Sequence, residues 1–159
     1  MEFNEDPIEE KEIRDEDYVD IYSKRAIFGF SVFSTMYAGI LLIINLWVAG
    51  YKQVISQVLL VMFGFYFLSI YLVRTVGVKI DTVALQKTIA AKGQFTTQQL
   101  LQLSAITGLQ IAVNIIAGLI LTRYFFKKYF PDDDYYPRPI MRPVIIFIII
   151  ILFFGSILR

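Results

Sequence analysis

Apolar residues are gathered into four long segments, at residues 26–49, 54–73, 103–121 and 143–158. None of the four contains a charged residue. The first has 24 residues, which as a helix would extend about 36 Å at 1.5 Å per residue. Because the hydrocarbon core of a bilayer is about 30 Å thick, the pattern predicts an all-α fold, an integral membrane four-helix bundle.

The fourth segment is the shortest. From Val144 to Leu158 it would span about 22 Å, less than the bilayer core. Starting it at Ile140 lengthens it to about 28 Å. Arg142 must then extend its side chain to the headgroups, and Pro143 falls in the first helical turn, where proline is tolerated. We expect a membrane span here, with a re-entrant or interfacial segment as the alternative.

The connections between the segments differ in length and character. The Gly50–Gln53 link is short enough to force the first two spans into an antiparallel pair. Residues 74–99 are the longest polar connection, and residues 82–92 within it are expected to form a short surface helix. Asp132–Asp134 lie in a proline-rich loop, which favours a solvated turn over a cation site because three consecutive acids do not converge on one point.

The charge is distributed unevenly, although the net charge is only +1. Residues 1–22 contain ten Asp or Glu and two basic residues, so they sum to −8. The other 137 residues contain thirteen basic and four acidic residues, so they sum to +9. The sequence therefore predicts an acidic polar arm, residues 1–22, attached to a basic membrane domain, residues 23–159.

Several kinds of chemistry are missing from the chain. It has no His and no Cys, which excludes histidine bases, thiolate nucleophiles and the usual zinc and haem ligands. The predicted spans contain none of the buried charges that proton pumps and charge-coupled transporters use. We therefore expect no enzyme activity, no catalytic residues, no cofactor and no metal.

Small residues recur every four positions in two of the segments. Because residues at this spacing share one helix face, they let a neighbouring backbone approach closely. They are predicted to pack helices together, with a homodimer face or coincidence as the alternatives. The two stripes are Ser31, Thr35 and Gly39 in the first segment, and Ser104, Gly108 and Ala112 in the third.

Two amides, Asn45 and Asn114, lie deep within apolar segments. An amide in hydrocarbon needs a hydrogen-bond partner on another helix, so both are expected to hold helices together. A polar substrate site is the alternative interpretation. Two further amides, Gln57 and Gln110, also lie within apolar segments.

Basic residues flank the apolar segments, where headgroup phosphates favour them. With four crossings, nine Lys or Arg lie on the side of the termini and six on the other side, so the positive-inside rule places both termini in the cytoplasm. The same bias accounts for the basic residues, so we expect no binding to nucleic acid. The interface residues are Lys24, Arg25, Arg74, Arg123, Lys127, Lys128 and Arg142.

Three stretches resemble small multi-span membrane proteins of unassigned function in Bacteroidetes-type bacteria. They are Tyr22–Ser31, Asn45-Leu46 and Leu121–Pro131, and the resemblance covers most of residues 22–145. It implies a bacterial inner-membrane protein and carries no activity or site residues.

Together these features predict a non-catalytic membrane protein, a small accessory, assembly or scaffold subunit. Its expected partners are the lipid bilayer and a protein or second copy, bound through the bundle or the acidic arm. The alternative is a small channel or transporter component lined by hydroxyl, amide and aromatic side chains.

Overall fold

The computed structural model describes residues 19–76, 82–91, 93–131 and 135–157. Most of the acidic arm and the Asp132–Asp134 turn lie outside the described residues, so the expectations about them are not addressed. The all-α class is confirmed. A parallel pair of three-residue strands, β1 (Val19–Ile21) and β2 (Tyr135–Pro137), is the one sheet within the described residues.

The helices follow in chain order, and the longest of them, α5, continues through a π-helical segment. Their bounds are α1 Lys24–Phe33, α2 Thr35–Val48, a 3-10 turn Lys52–Val54, α3 Ile55–Thr75, α4 Thr82–Ala90, α5 Thr97–Leu119, the π segment Ile120–Phe126, α6 Lys127–Tyr129 and α7 Met141–Ile157.

The first apolar segment forms two helices rather than the single span predicted for residues 26–49. Ser34 has extended backbone angles, ends α1 and caps α2. Beyond it the chain turns back. Tyr22, just before α1, exchanges two hydrogen bonds with the side chain of Asn45, near the end of α2, at 2.8 and 2.7 Å. The two helices therefore form a hairpin, with its tip at Ser34 and its open end at Tyr22 and Asn45.

The hairpin is short. Its first arm, α1, has ten residues and a length of about 15 Å, half the thickness of a bilayer core of about 30 Å. By contrast, two helices are long and apolar enough to cross a membrane, Lys52–Thr75 and Thr97–Tyr129. The helices Thr35–Val48 and Met141–Phe153 are apolar but shorter.

Two glycines let these long helices pack closely against the hairpin. At Gly39 of α2, a Cβ atom would collide with the side chain of Met62 on α3. At Gly118 of α5, it would collide with Ser31 on α1, approaching its Cβ to 2.7 Å. Both glycines and both neighbours are buried. The hairpin is thus held between α3 and α5.

The last helix, α7, packs along the other side of the hairpin. The Tyr37 hydroxyl donates to the Pro143 carbonyl at 2.6 Å. The Phe147 ring lies 5.6 Å from that of Phe30 and 4.8 Å from that of Tyr37. Residues 148–153 of α7 are exposed.

Aromatic side chains and the small sheet close the open end. The Phe126 ring lies 5.0 Å from that of Phe130 and 5.7 Å from that of Tyr135. The Tyr51 ring lies 5.2 Å from that of Tyr129. These contacts bring the link after α2 and the end of the α5 helix to the same end of the molecule as β1.

We predict that alanine is tolerated in proportion to the space at each glycine. Gly118→Ala should lower the melting temperature in detergent most, because the rigid Cβ of Ser31 has nowhere to move. Gly39→Ala should cost less, because the flexible Met62 side chain can shift. Gly108→Ala is the matched control, since nothing lies within 4 Å of its added Cβ.

Core overpacking typically costs about 1–3 kcal/mol. Thermal unfolding of the three variants in detergent gives the order of their melting temperatures. Equal melting temperatures for all three would contradict the packing of α5 and α3 against the hairpin.

Candidate functional site

At the tip of the hairpin, some backbone groups lose the hydrogen-bond partners that a continuous helix would give them. The Ser34 N–H still donates to Phe30 O at 2.9 Å, and its carbonyl accepts from the Ala38 N–H at 3.1 Å. The Ser34 hydroxyl oxygen accepts from the Tyr37 N–H at 3.3 Å, as an N-cap side chain does. The Val32 carbonyl, however, loses the N–H of Met36 that would bond it in an unbroken helix.

Asn114 of α5 satisfies that carbonyl. Its Nδ2 donates to Val32 O at 3.2 Å. Its Oδ1 accepts from the Thr35 hydroxyl at 2.9 Å and from Gln110 Nε2 at 3.2 Å. One amide thus joins the last turn of α1, the first residue of α2 and the preceding turn of its own helix. Asn114 is 4% exposed, so these bonds replace water in an apolar setting.

A cavity of about 400 Å³ opens beside this network. Apolar and aromatic side chains from the tip and from α3 form part of its wall. None of the described residues that line it is charged, so its chemistry suits water or an uncharged polar solute. The polar side chains lining it are Ser34, Thr35, Tyr66, Ser69, Gln110 and Asn114.

Asn45 performs the corresponding role at the open end. Its amide accepts from the Tyr22 N–H and donates to the Tyr22 carbonyl, the same pair of bonds that a neighbouring strand would make. Asn45 is 1% exposed. The two buried amides therefore hold the hairpin at its two ends, Asn114 by contacts with both α1 and α2 and Asn45 by contacts with the backbone just before α1.

The two small-residue stripes lie in different surroundings. Ser31, Thr35 and Gly39 are buried and face α5 and α3. Ser104, Gly108 and Ala112 are exposed. Within the described residues no heavy atom lies near enough to Gly108 to contact an added Cβ. Among the described residues this second stripe stays uncovered, and its packing role remains a prediction.

Basic side chains gather at the open end of the hairpin. The structure describes ten Lys or Arg and a single acid, Asp20. Two of the ten lie toward the opposite end, Arg74 in the last turn of α3 and Lys87 in α4. The other eight form what we term the basic end: Lys24, Arg25, Lys52, Arg123, Lys127, Lys128, Arg138 and Arg142.

No family model, curated protein or solved structure matches the chain. Among the described residues, no group of three His, Cys, Asp or Glu side chains could hold a metal ion. The site offers hydroxyls, amides and backbone dipoles, which are groups suited to hydrogen bonding.

Both amides could be identified from the sequence, but the reversal of the chain at Ser34 was missed. The signal was present, because Ser34-Thr35 inside an apolar run is the pair that starts a helix. A second signal lay in α5, where Gln110 and Asn114 at i, i+4 share one face.

We predict that Asn114→Leu, which keeps the side-chain size, loosens the tip. The change removes three hydrogen bonds, and interhelical bonds in membranes average about 0.6 kcal/mol each. The loss should therefore be about 2 kcal/mol, measured as a lower melting temperature in detergent.

Gln110→Leu is the matched control on the same face. It removes one bond to Asn114 and leaves the Val32 carbonyl paired, so it should cost roughly a third as much. An Asn114→Leu protein as stable as the wild type would contradict the role given to this amide.

Proposed function

We propose that this chain is a non-catalytic integral membrane protein that serves as an accessory or scaffold subunit of a larger membrane assembly. The observation that carries the proposal is the exposed small-residue face of α5 formed by Ser104, Gly108 and Ala112. Small residues on a lipid-facing helix allow a second helix to approach closely.

The hairpin arms are shorter than α5, which explains why no part of the hairpin covers this face. The hairpin packs against α5 around Asn114 and Gly118, toward the helix's C-terminal half. Beyond the tip, the first turns of α5 and the last turns of α3 have few neighbours among the described residues. Leu101 is 65% exposed and Tyr71 is 65% exposed. A partner helix lying on this half of α5 would occupy the depth that the hairpin does not reach.

The same geometry supports a particular placement in the membrane. We place α3, α5 and α7 across the bilayer, with the hairpin entering and leaving from the basic end. α7 has 17 residues, or about 25 Å, a mismatch that local thinning accommodates. Three crossings put the two termini on opposite sides, unlike the four crossings expected from the hydrophobic segments alone.

The charge bias becomes stronger with three crossings. The side that holds the acidic arm, the Gly50–Gln53 link and the loop before α7 carries ten Lys or Arg, and the other side carries five. The positive-inside rule then places the basic end in the cytoplasm. The ten are the eight of the basic end with Lys11 and Arg14, and the five are Arg74, Lys79, Lys87, Lys92 and Arg159.

We predict that a C-terminal fusion reports the non-cytoplasmic side in a bacterial inner membrane. Alkaline phosphatase fused after Arg159 should be active, and a fluorescent protein in its place should be dark. A fluorescent protein at the N-terminus should fluoresce, which serves as the control for insertion. A fluorescent C-terminal fusion would contradict three crossings.

The partner face is tested by photo-crosslinking in the membrane. A photoreactive phenylalanine at Gly108 should yield a discrete protein adduct, because this position meets the partner helix. The same residue at Ile149, 58% exposed on α7, is the matched control and should yield lipid adducts. Adducts at both positions, or at neither, would reject α5 as the partner face.

A further inference from the structure

Three basic side chains surround a cleft at the start of the hairpin. Lys24 and Arg25 begin α1, and Arg123 comes from the π segment that follows α5. They line a cavity of about 470 Å³ together with Thr122 and the apolar residues Phe28 and Leu119. The wider π-helical turn occurs at Ile120–Phe126, the place where α5 passes α1.

The described residues are strongly positive in sum, and the cleft lies at their basic end. They include ten Lys or Arg and one acid, Asp20. Lys24 and Arg25 also occupy the first turn of α1, the positive end of the helix dipole, where cations are unfavourable and anions are favoured. Three like charges and a helix N-terminus therefore create a site that favours an anion.

A second cavity, of about 620 Å³, continues from Arg25 down the face of α1 that meets α7. Its walls below Arg25 are almost wholly apolar and include Phe30, Phe33, Val144 and Phe147. The two cavities share Arg25 and Gly29. No heavy atom lies within 4 Å of where a Gly29 Cβ would be, so this glycine leaves a notch that joins the charged cleft to the apolar groove.

We propose that this surface binds one anionic phospholipid. The phosphate lies in the cleft among Lys24, Arg25 and Arg123, the glycerol lies at the Gly29 notch, and an acyl chain follows the groove between α1 and α7. A charged head directly above an apolar groove matches a phospholipid and no small soluble anion. The proposal goes beyond the subunit role and rests on the membrane placement, with the basic end at headgroup level, rather than on the partner face.

Native mass spectrometry of the full-length chain tests the assignment. The protein is released from detergent in the presence of phosphatidylglycerol or of phosphatidylcholine with acyl chains of the same length. One phosphatidylglycerol should remain bound, and phosphatidylcholine should bind at least tenfold more weakly. In the triple variant Lys24→Gln/Arg25→Gln/Arg123→Gln, phosphatidylglycerol should bind about 100-fold more weakly, since each cation near an anionic headgroup contributes about fivefold.

Two controls separate charge from position. Arg74→Gln/Lys87→Gln removes cations from the opposite end and should leave binding unchanged. Gly29→Leu fills the notch without changing charge and should weaken phosphatidylglycerol binding about tenfold. The melting temperature of each variant identifies loss of folding, and raised salt should weaken binding to the wild-type chain, a measurement that needs no variant.

Four results would overturn the proposal. They are equal binding of the two lipids, equal losses in the triple and the Arg74/Lys87 variants, unchanged binding in Gly29→Leu, and displacement of the lipid by glycerol phosphate at the lipid's own concentration. The last would mean that the cleft takes a free phosphate. None of these results depends on the partner adduct at Gly108, so failure here is distinguishable from failure of the subunit role.

Discussion

The reversal of the chain at Ser34 is the constraint on which the rest of the molecule depends. In an apolar surrounding, a helix can be interrupted only where its freed backbone groups find other partners. Here the Ser34 hydroxyl covers one N–H of α2 and the Asn114 amide covers the Val32 carbonyl. These two side chains remove the cost of leaving those backbone groups buried and unpaired at the reversal.

The reversal also determines how the other helices are arranged. The arms α1 and α2 have ten and 14 residues, or about 15 and 21 Å as helices. They are shorter than α3 and α5, which enclose them through the close approaches at Gly39 and Gly118. The remaining turns of the long helices lack this contact, so α5 exposes the face that includes Gly108. The same reversal returns the chain to the side where it began and collects eight of the ten described cations at one end.

Much of this organisation could be predicted from sequence, because hydrophobic length and interface charges are summed over many residues. The α3 helix and the core of α5 follow from that signal, and Asn45 and Asn114 stood out as amides in apolar runs. The hairpin did not, because an apolar segment long enough to cross a bilayer has the same composition as two shorter helices folded together. The difference lies in a single capping residue, Ser34, and in a partner amide 80 positions away.

The helix that covers the second stripe could not be predicted from sequence, for a related reason. The spacing of Ser104, Gly108 and Ala112 correctly identifies one helix face, but spacing cannot say which helix covers that face. The answer depends on the depth reached by the hairpin, a tertiary property. Likewise, the sequence indicates only ordinary interface cations at Lys24, Arg25 and Arg123. The fold brings these residues, about 100 positions apart in the chain, to one cleft.

The most direct test of the reversal is a distance between spin labels on the two arms. The chain has no native cysteine, so Arg25→Cys/Val48→Cys places one label on each arm without other changes. The hairpin predicts a separation of roughly 20 Å in lipid nanodiscs, because the axes of neighbouring helices lie about 8–10 Å apart and the two label side chains add to that distance. A continuous helix between these positions would separate the labels by about 35 Å, and a distribution centred there would contradict the hairpin.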